Sequence, residues 1–107
     1  IDLAERESLV KDLGPHNAMI LRNHGLLTSG ASVPQAFNLM YQLEMSCRAQ
    51  VDAMAAGTAL AIPPKEILEK SAHLYQPGVR RPYGELEWHA MLRLLDAEPG
   101  GYPLYTS

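Results

Sequence analysis

Residues Ile20–Gly30 read "ILRNHGLLTSG": two apolar runs separated by Arg22-Asn23-His24-Gly25. Asn and Gly tolerate the left-handed backbone that a tight reversal needs, but nothing about turning requires an imidazole. Before the reversal, Ala18 to Leu21 form a short unbroken apolar run without helical period, which predicts a strand buried on both faces. After it, Leu26 and Leu27 leading to Thr28 predict a second strand, ended by Gly30. The chain therefore reads here as strand, turn, strand, with His24 at the turn.

Helical signals surround this hairpin. Upstream, Asp2 and Glu5 have the spacing of a capping box, with Asp in place of Ser or Thr. Leu3, Arg6, Leu9, Val10 and Leu13 then recur with helical period until Gly14-Pro15 stops them. Downstream, Ser32 is a good N-cap, Pro34 is tolerated in the first turn, and Gln35 sits at the capping-box position. A long helix is expected from there to about Ala56, closed by Gly57. Its stripe Val33, Phe37, Met40, Glu44, Cys47, Val51 and Met54 predicts packing against something large. Pro63-Pro64 opens a third helical segment with Ile67, Leu68, Ser71 and Tyr75 on one side. Glu85 to about Asp96 form a last helix carrying Trp88, Leu92 and Leu95, and the tail "EPGGYPLYTS" has no periodicity.

Two short strands and four helices do not make a self-sufficient sheet, because a lone hairpin is marginal in water. The chain is expected to be the C-terminal part of a larger α/β domain whose remaining strands lie outside it. Residues 1–107 would then be one portion of a single domain, with its N-terminal portion absent. The first residue is Ile and not Met, which fits a processed chain or a piece of a longer one. No internal repeat or interdomain linker interrupts it.

At 107 residues, 47% hydrophobic and 20% charged, the chain has the composition of one globular domain. A formal charge of -3 and a pI near 5.7 argue against a general nucleic-acid binder. Arg80-Arg81, the one adjacent basic pair, lies in a Pro- and Gly-rich segment and reads as a solvated loop. Cys47 is the only cysteine, so no internal disulfide forms and a reducing, cytoplasmic setting is expected. The most apolar stretch, "AMAAGTALAI", is too short to span a bilayer, and no signal-peptide pattern opens the chain.

A neutral imidazole binds Zn²⁺, Mn²⁺ or Fe²⁺ well, and a turn between strands holds it rigidly. A metal site needs three or four ligands, however, and His16, His73 and His89 show no ligand spacing with His24 or with each other. From the residues alone, His24 reads as a ligand or as an ordinary turn residue, and both readings stay open.

The run "LGPHNAMILRNHGLLTSGASVPQAFNLMYQLEMSCRAQV" resembles the class II aldolase/adducin family. The resemblance is carried by "LGP", "ILRNHGLL", the glycine of "TSGAS", the "AF" opening the helix, the "LE" within it and the "AQV" near its end. The closing "EWHAMLRLLD" resembles the C-terminal end of bacterial adducin-like members. No single tripeptide is diagnostic; the ordered set of features is fairly specific. The resemblance covers nearly the whole chain but only the C-terminal part of the family domain.

It implies a three-layer α/β/α fold with a mixed, mostly antiparallel sheet, of which this chain carries a strand pair and about four helices. It also implies a divalent metal, zinc first with manganese or iron as alternatives, held by three histidines. The histidine of the "NHG" turn is one of those ligands, which carries over to His24. The other two, in a His-x-His motif, and a catalytic carboxylate would lie upstream and have no match here. Such a metal chelates a small hydroxy-carbonyl substrate, sugar-phosphate-like in the family, and stabilises the enediolate formed as a carbon–carbon bond breaks. A homo-oligomer, a tetramer by family default, is the implied assembly. Adducins, the cytoskeletal branch, share "LRNHG" without known lyase chemistry. A non-catalytic binding or assembly module is therefore the second reading, and an isomerase or decarboxylase on the same metal a third.

Three further residue types have ordinary readings. Glu44, on the apolar stripe, is read as a solvated partner of Arg48, with Asp52 on the other side of Arg48, in preference to a group orienting a ligand histidine. Tyr41, Tyr75, Tyr83, Tyr102 and Tyr105 match no motif and receive no role. Cys47 and the methionines of the long helix are packing residues.

Overall fold

The computed structural model describes residues 2–100; Tyr102, Tyr105 and most of the aperiodic tail lie outside them. Helix α1 spans Leu3–Leu13 and starts as its spacing predicts. The Asp2 carboxylate accepts the Glu5 N–H at 2.8 Å, and Glu5 accepts the Asp2 N–H at 3.3 Å. Two N–H groups with no helical partner are thus satisfied reciprocally. Gly14, at φ 55°, leads the chain out of the helix.

Strands β1 (Ala18–Leu21) and β2 (Gly25–Thr28) pair antiparallel, from Ala18 opposite Thr28 to Leu21 opposite Gly25. The Ser29 N–H extends the ladder by donating to the Asn17 carbonyl at 2.8 Å. Helix α2 (Val33–Ala55) follows, with the Ser32 hydroxyl accepting the Gln35 N–H, and Gly57 (φ 72°) lies just beyond its end. At 23 residues it is about 35 Å long, far longer than the hairpin it covers. Helices α3 (Lys65–Leu74) and α4 (Glu85–Asp96) complete the described elements.

Packing is concentrated at one end. The hairpin lies on α2, where the Thr28 hydroxyl donates to the Ala36 carbonyl at 2.9 Å. Helix α4 lies on α2 nearby, where Phe37 and Trp88 meet edge to face with ring centroids 5.4 Å apart. Neither α1 nor α3 packs on another element to a similar extent.

Two expectations need correcting. The strands are not buried on both faces: their residues are half-buried or exposed, and Ile20 is 68% exposed. The sheet has only these two strands among the described residues, so both its outer edges are unpaired and α2 is the element packed on it. The stripe of α2, likewise, is only partly covered: Met40 and Cys47 are half-buried, while Val33, Val51 and Met54 remain 69%, 64% and 61% exposed.

Among the described residues no apolar side chain is fully buried. The accessible surface of 9022 Å² compares with about 5,900 Å² for a compact monomer of this mass. The radius of gyration, 17.1 Å, compares with about 13 Å. Local signals have built the helices and the hairpin, but these elements do not enclose a core.

Candidate functional site

The hairpin holds His24 at a defined place. The His24 N–H donates to the Leu21 carbonyl at 3.3 Å, closing a four-residue turn. Its third residue, Asn23, has φ 62°, the sign that a type II turn requires there, and Asn accepts it at modest cost. Gly25 follows at φ 118°, a conformation L-residues rarely adopt, and nothing lies within 4 Å of where its Cβ would stand. Glycine is needed here for its backbone and leaves open space beside the imidazole.

His24 is exposed, and its side chain has no partner among the described residues. His16 lies at the opposite end of the hairpin, before β1; His73 is in the last turn of α3 and His89 in α4. No group of three or more His, Cys, Asp or Glu side chains able to hold a metal occurs among the described residues. His24 alone could supply only one bond to a metal, and a full ligand set would need groups from outside the described residues.

Glu44 behaves as its ordinary reading expects. Its carboxylate accepts from Arg48 Nε at 3.1 Å, one turn on, with both side chains well exposed. Asp52 makes no ion pair with Arg48. Cys47 is free and half-buried.

A polar junction that the sequence analysis missed joins the N-termini of α2 and α4. The Glu85 carboxylate accepts from the Ser32 hydroxyl at 2.5 Å and from the Gln35 amide at 3.0 Å. These two bonds, Ser32 first, lower the Glu85 pKa. Gln35 thus turns its side chain to α4, while its backbone N–H is capped by Ser32. Beside it Gly84, the one fully buried residue described, lies against Pro34: a Cβ at Gly84 would stand 2.4 Å from the Pro34 carbonyl oxygen. Glu87 accepts the Gly84 N–H at 2.8 Å and two bonds from Arg81. The Arg81 guanidinium, followed by backbone N–H groups, brings the Glu87 pKa down to about 2. Two acids in the first turn of a helix that begins at Gly84 were the available signal, since such positions favour anions. The partners of Glu85, 50 and more residues away, left no trace in the local pattern.

Comparison with known proteins places this hairpin in a wider setting. Residues 2–51, from the α1 cap through the turn and most of α2, match the family model described as "Class II Aldolase and Adducin N-terminal domain". A solved structure from Pseudomonas syringae, an aldolase II superfamily protein, superimposes with a TM-score of 0.72 at 44% identity. That match covers 89% of this chain and 38% of the other. The chain belongs to the class II aldolase and adducin family.

Its relatives fall on both sides of the family's name. A Pseudomonas aeruginosa protein named "Putative aldolase class 2 protein" is 40% identical over 102 residues, covering 92% of this chain and 39% of the relative. Rattus norvegicus beta-adducin is 33% identical over 109 residues, covering 87% of this chain and 14% of the adducin. The chain spans about two fifths of the length of the first of these, and the four helices and hairpin are an α/β fragment of the superfamily fold. No helix among the described residues is long and apolar enough to cross a membrane.

Proposed function

We propose that the chain is part of a divalent-metal-dependent, class II aldolase-like lyase acting on small hydroxy-carbonyl substrates, with His24 as one metal ligand. The observation that carries this reading is the placement of His24: an unpartnered imidazole on a rigid turn, inside the family-matched segment. A bound zinc, or manganese or iron, would polarise the substrate carbonyl as a Lewis acid. The task of this chain's residues is positional. The Leu21–His24 bond and the dihedrals of Asn23 and Gly25 fix the backbone of His24 and the direction of its Cα–Cβ bond, so only the two side-chain torsions have to be ordered when a metal binds.

On this reading, residues 1–107 are the C-terminal portion of one domain, and the remaining ligands, a catalytic carboxylate and further strands are supplied by the rest of it. The half-covered stripe of α2, the unpaired hairpin edges and the excess surface support that arrangement. A homo-oligomer in the cytoplasm completes the proposal. Exposed apolar stripes and free strand edges drive association, so the isolated chain should self-associate in sedimentation at micromolar concentration. A stable monomer with one cooperative thermal transition would sink the incomplete-domain reading.

Metal analysis of the full-length protein tests the lyase reading. About one divalent ion per subunit is expected. Replacing His24 by Ala should weaken metal binding strongly, because losing one of three imidazoles opens the site. A metal-free protein that refuses added Zn²⁺ and Mn²⁺ would favour the second reading, a non-catalytic adducin-like binding module. The beta-adducin relative is the specific observation on that side.

A further inference from the structure

A cleft of about 480 Å³ opens between the base of the hairpin, one face of α2 and the segment joining α3 to α4. It is within the size range of small-molecule sites. His24 does not line it; the hairpin's length, roughly 13 Å of strand, separates the turn from the base where the cleft begins. Its lining contains two arginines and no Asp or Glu, on a chain whose formal charge is -3.

The two arginines are not equivalent. Arg81 is neutralised by Glu87 at 2.6 Å, and its guanidinium lies 4.6 Å from the centre of the Tyr83 ring. Arg80 has no carboxylate among the described residues; its one polar contact is a bond to the neutral Tyr83 hydroxyl at 3.2 Å. A guanidinium has five N–H donors in a planar fork, so most of Arg80's capacity is unspent. Across the cleft, Asn38 and Gln42 lie one helical turn apart on α2, which puts both on one face, and their amides have no partner among the described residues. The rings of Tyr75 and Tyr83, with centroids 6.4 Å apart, form the apolar wall beside Arg80.

We propose that this cleft binds a small oxyanion, a carboxylate or a phosphate monoester, attached to an aromatic or similarly flat apolar body. Arg80 takes the oxyanion through its fork, the Asn38 and Gln42 amides serve the polar edge of the body, and Tyr75 and Tyr83 cover its face. The carboxylate and the phosphate share the bidentate geometry a guanidinium recognises. The site is built wholly from residues of this chain and depends on neither the metal nor the lyase reading.

Titration of the full-length protein with benzoate and with phenyl phosphate, followed by calorimetry and by amide chemical shifts, tests it. At least one of the two should bind, and which one identifies the oxyanion. Shift changes should map to 38–42 and 75–83. Binding should persist in EDTA, which separates it from any metal site. Arg80→Gln should weaken the bound probe about tenfold or more, as expected for a lost charge-assisted pair, and Arg80→Lys less so. Arg80 is an exposed loop residue, so both variants should keep the wild-type unfolding temperature. Inorganic phosphate and benzyl alcohol, each carrying half of the recognised chemistry, should bind far more weakly. Failure of both probes to bind overturns the proposal. So do an affinity unchanged by Arg80→Gln and a response that maps to His24 or disappears with EDTA.

Discussion

The packed end of this molecule and its loose end are built from equally good secondary structure. At the packed end, the hairpin and α4 meet the N-terminal half of α2 through Phe37–Trp88, Thr28–Ala36 and the Glu85 junction. At the loose end, α1 has its capping box, α3 an i,i+4 ion pair and the C-terminal half of α2 its helical continuity, but they have little to pack on. The difference shows that capping and i,i+4 pairing suffice to place a helix in the sequence, whereas a fixed position in space needs a neighbour. Helices of 10 or 11 residues such as α3 and α1 are marginal in water without one.

The most damaging single change should be Gly84→Ala. A Cβ there would meet the Pro34 carbonyl at 2.4 Å, at a backbone φ of 117° that L-residues rarely adopt. A loss of about 3 kcal/mol or more is expected in urea unfolding, because neither backbone can move without parting α4 from α2. The matching change at the loose end, Gly57→Ala (φ 72°), meets nothing within 4 Å and should cost only about 1 kcal/mol. Equal losses at the two glycines would break the contrast between the ends.

Next in size is the aromatic contact. Trp88→Ala should cost about 2 kcal/mol, below the value for a fully buried ring because Trp88 is half-buried. A double-mutant cycle with Phe37→Ala should return a coupling of about 1 kcal/mol, since the rings meet edge to face. At the loose end, Asp2→Ala removes one half of the capping box and should cost about 1 kcal/mol. Hydrogen exchange should accelerate in α1 alone, leaving α2 and α4 protected as before.

The smallest effect expected is on pH dependence. Glu87 is held at about 2, below its ordinary 4.5, chiefly by Arg81. A depressed carboxylate contributes stability that is fully present above about 4.5 and is lost as pH falls toward 2. Thermal unfolding should therefore weaken across that window in the wild type and less in Arg81→Gln. The pair is partly exposed, with relative side-chain exposures of 47% and 34%, so raised salt should shrink the difference.

Much of this chain is legible from its sequence because its signals are local. Asp2 with Glu5, Ser32 before Pro34, Gly14 and Gly57 act within one turn of the backbone, so the helix limits follow without knowledge of any distant residue. The reversal at Asn23-His24-Gly25 follows from dihedral preferences alone, and with it the position of His24. Burial was not legible. An apolar run such as Ala18–Leu21 states what a strand would bury, not whether anything arrives to cover it, and Ile20 is left facing solvent. The partners of Glu85, the tight seat of Gly84 and the gathering of Arg80, Asn38 and Tyr75 at one cleft were decided only by tertiary structure. Each joins segments some 35 or more residues apart, and the energy that selects such a contact exists only once the chain has folded back on itself.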